Sequence, residues 1–299
     1  MAGIDVHQHV WSVPFIEALR ARRTPPLLDG WTLRLDGEPP FEVDPADHDV
    51  ERRAETARRD GLDRALVSLS APLGIESLPA GEARPLLDAY HAGAAELPEP
   101  FGAWASASVR DVDAAATARV LDAGFAGLQL PATALAGPGG YERCAPLLDL
   151  LEERGLPLFV HPGPAAGAGP GWWAALVPYV QQMHAAWFAF RAFGRPRHPR
   201  LRVCFAMLAG LAPLHGERLA ARGGGRGEVD PDVFVETSSY GPRAADAAVR
   251  ALGVDAVVHG TDRPYAAPRD LALGEAAGHA FRVSNPNRLL LGKERMDVG

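Results

Sequence analysis

The chain of 299 residues is poor in cysteine, holding only Cys144 and Cys204. That leaves neither a disulfide framework nor a paired zinc-binding motif, and it suits a reducing interior. No apolar run reaches the length of a membrane span. The start of the chain has no basic segment followed by an apolar one, so secretion is not expected. Positive charge is not in excess: 30 Lys and Arg face 37 Asp and Glu, a formal charge of -7. Both signs are mixed along the chain, which leaves no basic surface for nucleic acid. A glycine-rich phosphate loop after the first apolar segment is also missing. The run Gly223-Gly224-Gly225-Arg226-Gly227 falls between a helix and a strand, so it reads as a connecting loop. These absences predict a cytoplasmic protein with no nucleic-acid or membrane partner.

What is present is a large apolar fraction, 47% of the residues, patterned in a repeating way. Short apolar segments at 4–10, 65–69, 101–107, 125–130, 157–161, 201–205, 233–236 and 254–259 read as strands. Helical patterns separate them, among them 82–97, 112–123, 141–154, 172–193 and 211–221. Strands alternating with helices imply parallel βαβ units, and eight such units predict an α/β fold of the (β/α)8 TIM-barrel type. One domain over residues 1–299 is expected. A Pro-, Gly- and Asp-rich loop at 24–44, with a small hairpin around Trp31 to Leu35, is inserted near the first strand. Asp44 then caps a helix with Pro45 in its first turn, running to Arg59 and ending at Gly61.

The first strand carries Ile4-Asp5-Val6-His7-Gln8-His9. Side chains alternate along a strand, so His7 and His9 share one face. Two readings are open for such a pair: half of a metal site, or buried histidines bonded to neighbours. In a barrel, the carboxyl ends of the strands face the active site. Those ends also present Gln129, His161, Met207, Glu236 with Thr237 and Ser238, and His259 with Thr261 and Asp262. His7, His9, His161 and Asp262 together supply three imidazoles and a carboxylate for one divalent ion. That set suits catalytic zinc, and it is also one that iron or manganese accepts.

At this point the sequence resembles the metal-dependent amidohydrolase superfamily. The resemblance is to its amidohydrolase-2 branch, which includes aminocarboxymuconate-semialdehyde decarboxylase and related aromatic-acid decarboxylases. It rests on Asp5-Val6-His7-Gln8-His9, Asp44-Pro45, Ala65-Leu66-Val67 and Gly124-Phe125-Ala126-Gly127-Leu128. It continues in Phe159-Val160-His161-Pro162, His198-Pro199-Arg200-Leu201-Arg202-Val203 and His259-Gly260-Thr261-Asp262-Arg263-Pro264. The resemblance implies a barrel with zinc held by His7, His9, His161 and Asp262. It also implies a small cyclic or aromatic acid as substrate, and a homodimer.

One departure stands out. Where the family places a histidine at the end of strand six, this chain has Met207, whose thioether has no useful acid–base chemistry. His184 and His259 are the candidates to replace it, whereas His198 and His215 read as structural or surface residues. Gln129 offers no anionic bridge, so one ion per chain is expected. Trp11, Arg34, Trp172, Met207 and Arg263 are candidate substrate contacts, the arginines for a carboxylate and the tryptophans for a flat ring. Trp173, Tyr179 and Trp187 read as packing residues, and Glu236 as a group supporting a ligand. With proton delivery to carbon in question, the reading favours a hydrolase acting through a metal-activated water, with Asp262 taking the water's proton. The alternative is a non-oxidative decarboxylase, and a further one is a weakly active barrel that binds a small molecule.

Overall fold

All eight expected strand segments form strands in the computed structural model, which describes residues 3–165, 167, 169–225 and 229–292. Arg226 and Gly227 of the glycine run lie outside the described residues. The first barrel strand is β1 (Gly3–Gln8). An antiparallel ribbon follows, made of β2 (Leu27–Asp29), β3 (Thr32–Arg34) and β4 (Phe41–Glu42). It is the hairpin expected in the 24–44 insertion. Strand β5 (Leu62–Val67) pairs in parallel with β1 and with β6 (Phe101–Ala103), while β7 (Ala105–Ser106) continues β6 beyond Trp104. Then β8 (Leu128–Pro131), β9 (Leu158–His161), β10 (Val203–Phe205), β11 (Val233–Glu236) and β12 (Val257–Val258) pair in sequence, all parallel.

Backbone bonds from Val6 N to His259 O at 3.0 Å and from Asp262 N to His7 O at 2.8 Å close β1 onto the last strand. The result is a distorted (β/α)8 barrel. Its strands are buried on both faces, which explains why they read as apolar runs rather than alternating ones. Trp104 and Phe159 fill the lumen, stacked at 5.2 Å, and Trp104 Nε1 donates to Val6 O at 2.8 Å. Burial of rings of that size contributes about 3 kcal/mol each.

The helices wrap this barrel as α1 (Val13–Arg20), α2 (Val50–Arg59), α3 (Ala80–Ala95), α4 (Ala114–Asp122) and α5 (Pro138–Arg154). They continue as α6 (Trp173–Leu176), α7 (Pro178–Ala189), α8 (Gly216–Ala221), α9 (Pro242–Leu252), α10 (Glu275–His279) and α11 (Asn285–Leu291). Three expectations need correction. The helix from Asp44 is split: Asp44 caps a short 3-10 turn, and the Asp49 carboxylate accepts from Arg52 N to start α2 afresh. The stretch 172–193 is also broken, because Val177 adopts φ -117 and ψ -76 just before Pro178. Beyond β10, Met207 to Leu211 form a left-handed turn with φ between 47 and 62. For residues with a Cβ this costs about 1–2 kcal/mol each, so the surroundings must hold it. The expected helix there therefore shrinks to α8.

Candidate metal centre

The Asp5-Val6-His7-Gln8-His9 segment ends at the carboxyl mouth of the barrel. His7 and His9 aim together, with Nε2 atoms 3.0 Å apart. Asp262 Oδ1 approaches them at 3.5 and 3.2 Å. His161, at the end of β9, completes the set: one ligand atom from each of the four lies within 4.8 Å of all the others.

Each imidazole has its other nitrogen occupied. His7 Nδ1 meets Glu236 Oε1 at 3.1 Å, His9 Nδ1 meets Ser68 O at 3.0 Å, and His161 Nδ1 meets Pro162 O at 2.8 Å. An acceptor at Nδ1 keeps the proton there and leaves a lone pair on Nε2. Burial, then the nearby imidazoles, hold His161 well below its ordinary pKa. His9 is lowered mainly by burial. For His7, burial opposes the charged form, but the Glu236 carboxylate outweighs it and raises the pKa. Two Nε2 lone pairs 3.0 Å apart, with a carboxylate beside them, repel one another unless a cation or proton sits between. The donor set therefore fits a divalent ion.

The supporting groups are buried and well bonded. Burial alone would raise the pKa of Glu236, yet His7 and the hydrogen bonds from Ser238 and Met207 hold it low. Its Oε1 accepts from Met207 N at 2.7 Å and Ser238 Oγ at 2.6 Å, and its Oε2 from Ser238 N at 2.6 Å. Gly260 is required beside it, since a Cβ there would lie 2.2 Å from Glu236 Oε2. Asp5 binds the strand to the last loop, accepting from His7 N at 3.0 Å, Thr261 N at 3.1 Å and Thr261 Oγ1 at 2.6 Å. That bracing holds Asp262 at φ 58, a left-handed conformation that Asp tolerates better than most residues.

The remaining candidates scatter. Met207 is buried, and its backbone N is what meets Glu236. Trp11 is buried, stacked on His48 at 4.6 Å, with Nε1 donating to Ser70 Oγ. Trp172 is 57% exposed and leans on Trp173 at 5.9 Å. Arg34 lies 3.7 Å from Asp29 on the neighbouring strand of the insertion, and Arg263 pairs with Asp60 at 2.7 Å, so neither guanidinium is free. His184, on α7, meets Phe188 and His215 with rings about 5 Å away. Burial lowers the pKa of His259, against the nearby charges of Asp5 and Glu236. Neither histidine is among the four side chains whose ligand atoms converge, His7, His9, His161 and Asp262.

Three residues of the site's surroundings escape a reading of strand ends. Tyr265, three residues past Asp262, lays its ring 5.3 Å from that of His9. Arg53 of α2 donates to His9 O at 2.9 Å and Gln8 Oε1 at 2.7 Å, clamping the end of β1. Burial lowers its pKa to about 10. Glu76 is buried within hydrogen-bond reach of Gln129. Only Tyr265 carried a signal, its closeness in sequence to the His259-Gly260-Thr261-Asp262 run.

Comparison with solved structures shows the same fold. IDCase from Metarhizium anisopliae in apo form is 18% identical with a TM-score of 0.77, and 97% of each chain is covered. The 5-carboxyvanillate decarboxylase of Novosphingobium aromaticivorans, with bound manganese and 3-methoxy-4-hydroxy-5-nitrobenzoic acid, is 19% identical with a TM-score of 0.75 and 97% of each chain covered. The 5-carboxyvanillate decarboxylase LigW from Sphingomonas paucimobilis is 20% identical with a TM-score of 0.70, covering 97% of this chain and 98% of its own. A sequence comparison with curated proteins finds no match.

These neighbours correct two expectations. The hydrolase reading gives way to its decarboxylase alternative, since the like-folded enzymes above include decarboxylases of an aromatic acid. That reading leaned on the missing imidazole at Met207, but a carboxyl group can carry a proton as an imidazole does. Zinc gives way as well: manganese is bound in two structures of the Novosphingobium enzyme. Imidazole and carboxylate ligands accept several ions, so ligand types alone did not select one. The match to the amidohydrolase-2 family spans residues 4–288, and the chain belongs to that family.

Proposed function

We propose that this protein is a manganese-dependent, non-oxidative decarboxylase of a small aromatic or cyclic carboxylic acid. The observation that carries the reading is the convergence of His7, His9, His161 and Asp262, each histidine held in the tautomer that presents Nε2. Decarboxylation by the like-folded enzymes supports the reaction class. Residues 1–299 would act as one catalytic domain with the 24–44 ribbon as an insertion. Two buried free cysteines suit a cytoplasmic setting.

When bound, the ion would supply positive charge that orients and neutralises an acidic substrate. The chain's own residues supply the rest. Asp262 has one oxygen in the ligand cluster and a side chain 20% exposed, the most open of the four. We assign it the proton that replaces the departing carboxyl group on the ring carbon. The bond from ring carbon to carboxylate carbon breaks and leaves its electron pair on the ring. The proton from Asp262 takes up that pair, carbon dioxide leaves, and water returns a proton to Asp262. Tyr265 offers a ring surface beside His9, and Met207 offers an apolar contact that carries no proton.

The test is a panel of hydroxylated benzoic acids incubated with the manganese-loaded protein and followed by mass spectrometry. Loss of the mass of carbon dioxide is expected. Turnover that adds water instead, or no turnover by a metal-loaded protein, would overturn the reading.

A further inference from the structure

Glu76 lies in the turn after β5 and is 1% exposed. Its Oε1 accepts from Ser106 Oγ at 3.2 Å and from Gln129 Nε2 at 3.4 Å. Its Oε2 has no partner, and neither does Gln129 Oε1, although both are buried. Ser106, Gln129 and Phe159 stand side by side in register on β7, β8 and β9. The Phe159 ring lies 5.1 Å from that of His7, so the group sits next to the floor of the metal centre. Gln129 Nε2 also donates to Leu69 O at 2.9 Å, and the adjoining carbonyl, Ser68 O, holds His9 Nδ1.

We infer that Glu76 and Gln129 form a neutral acid–amide pair, with a proton on Glu76 Oε2 directed at Gln129 Oε1, and that this pair positions His9. Both oxygens are buried without a partner, and the two side chains already meet through Glu76 Oε1 and Gln129 Nε2. A single proton satisfies both and closes a ring of two hydrogen bonds between carboxyl and carboxamide. Hydrogen bonds from its own backbone, Ser106 and Gln129 favour the charged form, and burial outweighs all three. The titratable neighbours on α3 are Tyr90, whose hydroxyl donates to Val67 O and Trp104 O, and His91, whose Nε2 accepts from Ser106 N and is therefore neutral. Serine and glutamine contribute the facing groups of β7 and β8. No cation is among the influences on Glu76, and burial pushes its pKa up to about 7.

The consequence is a titration that acts on the metal centre from beneath. Ionised Glu76 sets a carboxylate oxygen against Gln129 Oε1. The carboxamide then turns away, releases the Leu69 carbonyl and loosens the strand end on which His9 docks. Glu76 is thus a positioning residue. This inference rests on the metal centre and not on decarboxylation.

The experiment is manganese affinity by calorimetry from pH 6 to 9, with the wild-type protein, Glu76→Gln and Ser106→Ala. Wild-type affinity is expected to fall above pH 7, by up to about tenfold per pH unit for one proton. Glu76→Gln mimics the neutral acid, so it should match the wild type at pH 6 and lose the alkaline fall. Ser106→Ala removes a hydrogen bond that favours the charged form and should move the fall to higher pH. Infrared difference spectra between wild type and Glu76→Gln should show a protonated carboxyl at pH 6. A carboxylate band at pH 6, or an alkaline fall unchanged in both variants, would overturn the inference. Affinity at pH 6 reports on the metal centre itself, so the two failures are distinguishable.

Discussion

Replacing Glu236 by glutamine should weaken metal binding by about 10–100-fold, or about 1.4–2.8 kcal/mol, the range for groups that orient a ligand imidazole. The structure shows why. Glu236 Oε1 receives His7 Nδ1, Met207 N and Ser238 Oγ, while Oε2 receives Ser238 N. An amide retains one acceptor oxygen. Placed toward His7, it turns its NH2 against Ser238 N, two donors facing, at a cost of about 1–3 kcal/mol. Placed the other way, it points a donor at His7 Nδ1 and favours the tautomer that withdraws Nε2 from the cluster. Either way the protein loses, and which loss dominates can be read separately. Calorimetric titration with manganese gives the affinity, and thermal unfolding of the metal-free protein gives the stability. Unchanged metal affinity in a folded variant would refute the claim that Glu236 orients His7.

Further tests follow from the same geometry. Gly260→Ala places a Cβ against Glu236 Oε2, so both thermal stability and manganese affinity should fall, as unfolding and titration would show. Metal removal by a chelator should abolish turnover and lower Tm, and manganese should restore both, with close to one ion per chain by elemental analysis. Met207→His should raise turnover of the acid that the protein decarboxylates, because it adds a proton-carrying group at the end of β10. A folded variant without that gain means that Asp262 alone suffices. Glu76 also contributes a pH dependence of stability. Its folded pKa of about 7 stands above the 4.5 of the free side chain, so the folded state binds the extra proton. Stability from this group is greatest below pH 4.5, falls as pH rises to 7 and then levels, a span of about 3 kcal/mol. Glu76→Gln should flatten that part of the denaturation profile.

The barrel was legible because its strands are short, mostly buried and therefore largely apolar. His7 and His9 sit two residues apart on such a strand, and His161 and Asp262 fall at other strand ends, so position alone brought four ligands together. What position could not supply was orientation. Arg34 and Arg263 looked like carboxylate receptors until Asp29 and Asp60 appeared beside them, partners from distant or adjoining segments. His184 and His259 have the right chemistry, but His184 packs against Phe188 and His215, and neither is one of the four converging ligands. The supporting contacts to Glu236, Ser68 and Pro162 depend on which ring nitrogen faces which acceptor, information that exists only after folding. The left-handed turn at Met207 to Leu211 had no local signal beyond Gly210, whose Cβ would lie 2.8 Å from Val180 O.

Loaded with manganese, the His7, His9, His161 and Asp262 cluster is proposed to remove a carboxyl group without oxidation. The most direct measurement is turnover of a hydroxylated benzoic acid in deuterium oxide, with the product analysed by mass spectrometry. Release of carbon dioxide is expected, with one deuterium on the ring carbon that carried the carboxyl group, and both should be lost in Asp262→Asn. Product that has gained water and kept its carboxyl group, or full turnover by Asp262→Asn, would contradict the proposal.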